Sequence, residues 1–291
     1  MKSLKKKKMV NRILWYVAVT LISLTTVLPF VWTISTSLKS GGEILGGSMN
    51  IIPKHFTLEN YKEVFATMPF LNYLKNSLIL AVGGVLTNLF FGGLAGYAYG
   101  QLHFRGRKAS FMIFLGSMMI PGIVTMIPTF MVLRSFPLMG GNNILGQGGL
   151  GLINSYWAIL LPGAAGAFAI FFMKQFFEAL PRELGESARM DGAGEFKIFW
   201  RVYLPLAKPA LTTLGILTFQ SGWNSFMWPM IVLNADSMKT VQVGLAAFQY
   251  NHSTNYGPLM AGTILATLPI LILFIFAQRN YVQGMAESGI K

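Results

Sequence analysis

An all-α membrane bundle of six transmembrane helices is the fold class that this 291-residue sequence predicts, and three observations predict it. Hydrophobic residues make up 53% of the chain and charged residues only 11%, against roughly a quarter charged in soluble domains. Six apolar runs are each long enough for a bilayer, which takes about 20 helical residues to cross. None of the six contains an Asp or a Glu.

The elements are taken in chain order. Residues 1–12 are a basic N-terminal segment, and 13–291 form one transmembrane domain. Its first run, about 13–36, exceeds the roughly 7 to 15 apolar residues of a secretory signal core and lacks a small-residue cleavage site, so it is read as a span. Further spans lie at about 71–99, 110–133 and 152–177. A charged island, 179–209, separates these from the last two, about 210–233 and 258–281. Pro29, Pro121, Pro128, Pro162 and Pro269 fall inside spans, where a freed backbone group needs a neighbouring helix or cavity water, so a bundle is expected rather than a lone anchor. Gly92, Gly96 and Gly100 recur at four-residue spacing, a pattern that lets two helix backbones approach closely. Packing within the chain is the favoured reading of that stripe, with a partner subunit as the alternative.

Orientation comes from Lys and Arg. One side collects the lysines before Arg12, the Arg105, Arg107 and Lys108 group, the cations of the island, Arg279 and Lys291. The other holds Lys39, Lys54, Lys62, Lys75, Arg134 and Lys239. The positive-inside rule then places both termini and the island in the cytosol. The net charge of +13 reads as an insertion signal with affinity for anionic lipid, since no basic face is interleaved with stacking aromatics as a nucleic-acid surface would be.

Several chemistries are disfavoured. Spans without carboxylates argue against proton or sodium coupling. The chain has no Gly-Lys dipeptide and hence no phosphate-cradling P-loop, so any ATP must be handled by another protein. Cysteine is absent, and His55, His103 and His252 show no metal-ligand spacing. No catalytic residue, cofactor or metal site is expected.

The island is built from recognisable pieces. Pro181 suits the first turn of a helix running to about Met190, with Glu183 and Glu186 at its positive end. Gly192 and Gly194 are able to take positive φ and turn the chain. Phe196, Phe199, Trp200 and Tyr203 then fall at i, i+3, i+4 and i+7, an apolar stripe expected to lie against the bundle with Lys197 and Arg201 outward. Leu204-Pro205 is expected to end that helix, and Pro209 to restart the chain as the fifth span. In that span Thr213, Gln220 and Asn224 line up on one polar stripe, and Trp223 offers an aromatic face. A substrate path is one reading of these four residues; interhelical hydrogen bonds and packing are the other.

Glu186-Ser187-Ala188, Asp191-Gly192-Ala193 and Leu204-Pro205, at this spacing, resemble the EAA loop of membrane-spanning subunits in ATP-driven importers. The resemblance extends over nearly the whole chain after residue 12. Asn76-Ser77, Phe104 to Arg107, Leu161-Pro162-Gly163, Gly222-Trp223-Asn224, Trp228-Pro229, Lys239-Thr240, Val243 to Leu245 and Tyr281 to Gly284 all look like carbohydrate-uptake permeases, most of all the smaller permease of maltose-type importers. Two departures are Ser187, where Ala is usual, and Gly185, where a larger residue is common and whose small size implies a slightly looser first helix. The Gly-rich stretch 140–151 is longer than in that type and has no role on sequence grounds.

What the resemblance implies is a type I ABC importer permease in the bacterial cytoplasmic (inner) membrane. It implies a second homologous permease as heterodimer partner, two ATP-binding subunits that hold ATP and Mg, and an extracellular or periplasmic binding protein. Glu186 to Gly192 would be the knob seated in an ATPase cleft. The loop 234–256 would meet the binding protein, and the tail 284–291 would approach the ATPases. A carbohydrate, an oligosaccharide first, is the implied substrate. Alternatives are a non-sugar solute such as a glycerophosphodiester or polyol, an ATP-independent channel, or a membrane anchor.

Overall fold

A computed structural model describes residues 2–47, 49–250 and 255–288, with 2–7, 250 and 277–288 as backbone alone. Among the described residues the regular elements are all helical, with one isolated β-bridge between Lys39 and Phe56. In chain order they are α1 (Lys2–Ser37), α2 (Gly41–Leu45), α3 (Glu59–Thr67), α4 (Phe70–Thr87), α5 (Gly93–Gln101), α6 (Arg107–Ser117), α7 (Gly122–Arg134) and α8 (Trp157–Gly163). Next come α9 (Ala167–Glu178), α10 (Glu183–Met190), α11 (Glu195–Ile198), α12 (Leu204–Leu206), α13 (Lys208–Trp223), α14 (Met227–Val232), α15 (Val241–Tyr250) and α16 (Tyr256–Ser288).

Four of the described rods are long and apolar enough to cross a membrane: Lys8–Ser37, Phe70–Gln101, Trp157–Glu178 and Tyr256–Phe276. Two bent pairs, each taken as one broken span, bring the number among the described residues to six. α6 and α7 meet at 102°, and the helix Glu195–Leu206 meets α13 at 81°. The first bend has a plain cause. Pro121 lacks an N–H and disfavours helix in the residue before it, so the chain leaves α6 at Ser117 and restarts after the proline. Pro128, by contrast, stays inside α7.

The chain divides into two compact units, Met1–Phe70 with Leu245–Thr267, and Leu71–Gly244 with Leu268–Lys291. In the first, the Asn60 side-chain amide donates to the carbonyls of Ser37 and Lys39, each at 2.8 Å, and the Lys39 ammonium sits 4.5 Å from the centre of the Trp32 ring. The most apolar 18-residue stretch of α1 contains no buried residue, as a lipid-facing or partner-facing rod would.

The second unit is organised by the glycine stripe. A Cβ added at Gly92, Gly96 or Gly100 would meet the Cβ of Ala169, Met173 or Phe177 at 2.8, 2.4 and 2.8 Å. Those three partners recur every four residues along α9, so two ridges interlock with no space for a methyl group. The stripe therefore serves packing within the chain. Around it, Tyr97, Met173, Phe177, Ile198, Phe199, Tyr203 and Leu214 form a closed core joining α5, α9, the island and α13. Asn88, in the π-helical turn Asn88–Gly92 between α4 and α5, donates to the carbonyls of Gly84 and Gly163 at 3.0 and 2.7 Å. The Gly-rich stretch 140–151 is closed by Asn142, whose amide donates to the carbonyls of Arg134 and Phe136 and whose oxygen accepts from the Gly149 N–H.

Candidate functional site

The island forms a short helix, a capped turn and a second helix. α10 begins at Glu183, two residues into the expected range, with Glu183 and Glu186 in its first turn and Arg189 in its last. Its end explains the Asp-Gly-Ala piece. The Gly192 N–H donates to the Arg189 carbonyl at 2.9 Å and the Ala193 N–H to the Ala188 carbonyl at 3.0 Å, with Gly192 at φ +78°. This is a Schellman cap, in which a residue with positive φ closes the helix and the next residue packs back on it. Ala188 and Ala193 both lie against the core. Gly194, at φ −72°, is extended and supplies no turn, so Gly192 alone carries the reversal expected of the two glycines. The outer side of α10 is open: Glu186, Ser187 and Asp191 are exposed, and Met190 is 88% exposed.

Glu195, Tyr97 and Gln101, which the sequence did not single out, help tie this knob to the spans. Arg189 donates through Nε to Oε1 of Glu195 at 2.6 Å and through a terminal nitrogen to Oε2 at 3.2 Å. The hydroxyl of Tyr97, on α5, donates to the same Oε2 at 2.7 Å. The Arg189 guanidinium, joined by that hydroxyl, holds the Glu195 carboxyl below its ordinary value and keeps it ionised. A second tie runs through Tyr203, whose hydroxyl reaches Oε1 of Gln101 at 3.1 Å and the Pro181 carbonyl at 3.2 Å. Gln101 in turn donates to the carbonyls of Phe177 and Leu180. Gly185 is buried against Tyr203: a Cβ there would stand 2.9 Å from the phenolic oxygen. The small residue therefore lets α10 approach Tyr203 closely.

The second helix corrects the expected apolar face. Phe199 and Tyr203 are buried at 2% and 1% exposure, but Phe196 is 64% and Trp200 52% exposed, with Ile198 taking the inner position. The reason is a π-helical turn over Phe199–Tyr203, in which the Leu204 N–H reaches back five residues to Phe199. One extra residue in a turn rotates every later position on the helix, so a count at 3.6 residues per turn fails across it. Pro205, just beyond, has no N–H to give the preceding turn. Phe196 and Trp200 stack on each other outside, centroids 6.2 Å apart at 12°, beside the expected outward Lys197 and Arg201. Leu204 packs on the core, and the chain swings through 81° at the buried Ala207. The island is thus an angled lever continuous with α13.

The four residues weighed for a substrate path are not brought together. Thr213 is buried and returns its hydroxyl to the Pro209 carbonyl of its own helix at 3.1 Å. Trp223 is 1% exposed and stacked on Phe219, centroids 5.7 Å apart at 12°. Gln220 and Asn224 are exposed. Nearby, a cavity of about 460 Å³ between α4, α8 and α13 presents Thr218 and Ser221 among apolar side chains.

The pieces Asn76-Ser77 and Lys239-Thr240 meet. The Asn76 amide donates to the carbonyls of Ser237 and Lys239, each at 2.9 Å, while Ser77 Oγ accepts from the Val241 N–H. They anchor the first half of the 234–256 loop; its residues 251–254, like 289–291 of the tail, lie outside the described residues.

Comparison with known proteins agrees with this architecture. Residues 88–287 match the family described as binding-protein-dependent transport system inner membrane component. The chain is 35% identical over 274 residues to the arabinooligosaccharides transport system permease protein AraQ of Bacillus subtilis, covering 93% of this chain and 92% of that one. It is 32% identical over 292 residues to the maltodextrin transport system permease protein MdxG of the same organism, covering 98% of each. Among solved structures, a chain of a bacterial ABC transporter involved in import of the acidic polysaccharide alginate superposes with a TM-score of 0.78 at 28% identity, covering 93% of this chain and 96% of that one. The chain therefore belongs to the binding-protein-dependent transport system inner membrane components: it is an ABC importer permease of the bacterial inner membrane, a transport subunit without an enzymatic step of its own, working with a substrate-binding protein.

Proposed function

We propose that this permease carries an oligosaccharide inward by alternating access, driven by ATP-hydrolysing partners that grip α10 from the cytosol. The observation that carries the reading is the braced knob: an exposed, Schellman-capped helix joined through Arg189, Glu195 and Tyr97 to the α5–α9 core. A displacement imposed on α10 passes to the spans because neither the interlocked stripe nor the lever can absorb it by soft compression. In this reading Glu186, Ser187, Asp191 and Gly192 meet the ATPase, Ala188 and Ala193 seat the knob on the core, and Leu204-Pro205 sets the lever's end. The island's own cations support a cytosolic location. A second permease completes a heterodimer on two such ATPases, which bind the ATP and Mg.

The sugar assignment is supported by relatives named for arabinooligosaccharides, maltodextrin and lactose transport. On this chain the path would use Gln220 and Asn224, exposed amides suited to uncharged hydroxyls, whereas Thr213 and Trp223 hold the fifth span in place. Reconstitution of the full assembly tests the coupling. Glu186→Lys or Gly192→Pro abolishes ATP hydrolysis stimulated by the sugar-loaded binding protein while the permease still inserts. Unchanged transport in both variants removes the proposal.

A further inference from the structure

A cavity of about 760 Å³ opens where α5 and α9 end and α6 begins, beside the start of α10. Its lining carries four cations, Arg107, Lys108, Lys174 and Arg182, against one carboxylate, Glu178. Two of the four are already held. Lys174, with 14% of its side chain exposed, pairs with Glu178 and lies 4.9 Å from the centre of the Phe111 ring. Arg107 reaches Glu178 at 3.8 Å and donates to the carbonyls of Leu102 and Gly100. The other two have no such counter-ion. Arg182 meets Nε2 of His103 at 3.1 Å, a contact that brings no negative charge, and neither it nor Lys108 pairs with a described carboxylate.

Four cations around one space repel one another, and the arrangement calls for an anion. Aromatic side chains share this lining: Tyr99 packs on Phe104 and Phe111 with centroids 5.6 and 5.4 Å apart, and Lys174 lies over the Phe111 ring. A lining that combines cations with an aromatic cluster suits an amphiphile. It also lies at the ends of two membrane-length helices, Phe70–Gln101 and Trp157–Glu178, and at the start of the bent pair α6–α7, the level at which lipid headgroups sit. We infer that this cavity binds the phosphate of an anionic phospholipid headgroup, with Lys108 and Arg182 as its principal ligands, the acyl chains leaving along the aromatic cluster. By the orientation proposed above, that lipid belongs to the cytoplasmic leaflet. A small free anion would use the same cations but not the aromatic cluster.

Native mass spectrometry of the intact transporter assembly, released from nanodiscs of phosphatidylcholine with or without phosphatidylglycerol, tests the site. Retained phosphatidylglycerol falls roughly fivefold in Lys108→Gln or Arg182→Gln and about thirtyfold in the double variant, while Lys62→Gln changes nothing. Both positions are exposed, so unaltered thermal unfolding is expected and confirms folded variants. Excess inorganic phosphate leaves the retained lipid in place. Displacement of lipid by phosphate would overturn the lipid assignment in favour of a soluble anion, and equal retention by wild type and double variant would overturn the site.

Discussion

Glu195 divides its two oxygens between Arg189 on one side and Arg189 with Tyr97 on the other, so one carboxylate joins knob and spans. Its substitutions separate charge from hydrogen bonding. Glu195→Gln keeps an acceptor for Tyr97 and loses only an exposed ion pair, costing below about 1 kcal/mol. Glu195→Ala strands the hydroxyl of the buried Tyr97 and costs about 1–3 kcal/mol, read from thermal unfolding of the purified assembly. The pH dependence has a definite sign. A carboxyl held below its ordinary value of 4.5 contributes stability above that value and loses it as pH falls through the lowered one. Protection of Glu183–Met190 from hydrogen exchange, taken relative to the intrinsic rate at each pH, therefore holds from neutral pH to about pH 5 and falls below it, and Glu195→Gln removes the step. None of this was legible in the sequence. Arg189 is six residues away and Tyr97 ninety-eight, and no local pattern announces a contact between chain segments that far apart. The motif residues Gly192 and Ala193 were legible, because a helix cap is a local device whose geometry the residue types dictate.

Two elements show what periodicity can and cannot carry. The glycine stripe on α5 was readable as a close-approach surface, yet only packing reveals that α9 fills it with Ala169, Met173 and Phe177. Gly96→Ala places a methyl against Met173 and the Lys174 backbone, an overpacking that costs about 1–3 kcal/mol in the thermal unfolding of the solubilised assembly. Gly96→Leu cannot be accommodated, and loss of folded permease from the membrane fraction is the expected outcome. The second island helix misled the same kind of count. Ile198, Phe199 and Tyr203 face inward, and Phe196 and Trp200 outward, because the π-turn changes the phase between the two stacked rings and the core. Sequence signals of a π-turn are weak, and Pro205 was the one residue pointing to irregular winding. Gly185 belongs to the same junction. Gly185→Val drives a side chain into the Tyr203 ring, breaks its bonds to Gln101 and Pro181, and lowers stimulated ATP hydrolysis more than it lowers assembly, which a pull-down of the partner subunits measures alongside the ATPase rate.

At the scale of the whole chain, the six-helix layout was legible because lipid demands long apolar runs regardless of tertiary detail. The bends at 102° and 81° were not, since proline marks where a helix is weak but not the direction in which the chain continues. The lever from α10 through Ala207 into α13 exists only because of the second bend, and the proposed coupling rests on it being gripped in the cytosol. The absence of cysteine allows that claim to be addressed with one probe. Ser187→Cys, carrying a photoactivatable maleimide in the complete assembly, is the most direct measurement. The account predicts a cross-link to an ATP-hydrolysing subunit that depends on nucleotide, and no reaction with a membrane-impermeant thiol reagent applied outside intact cells; labelling from outside, or an assembled transporter with no such cross-link, would contradict it.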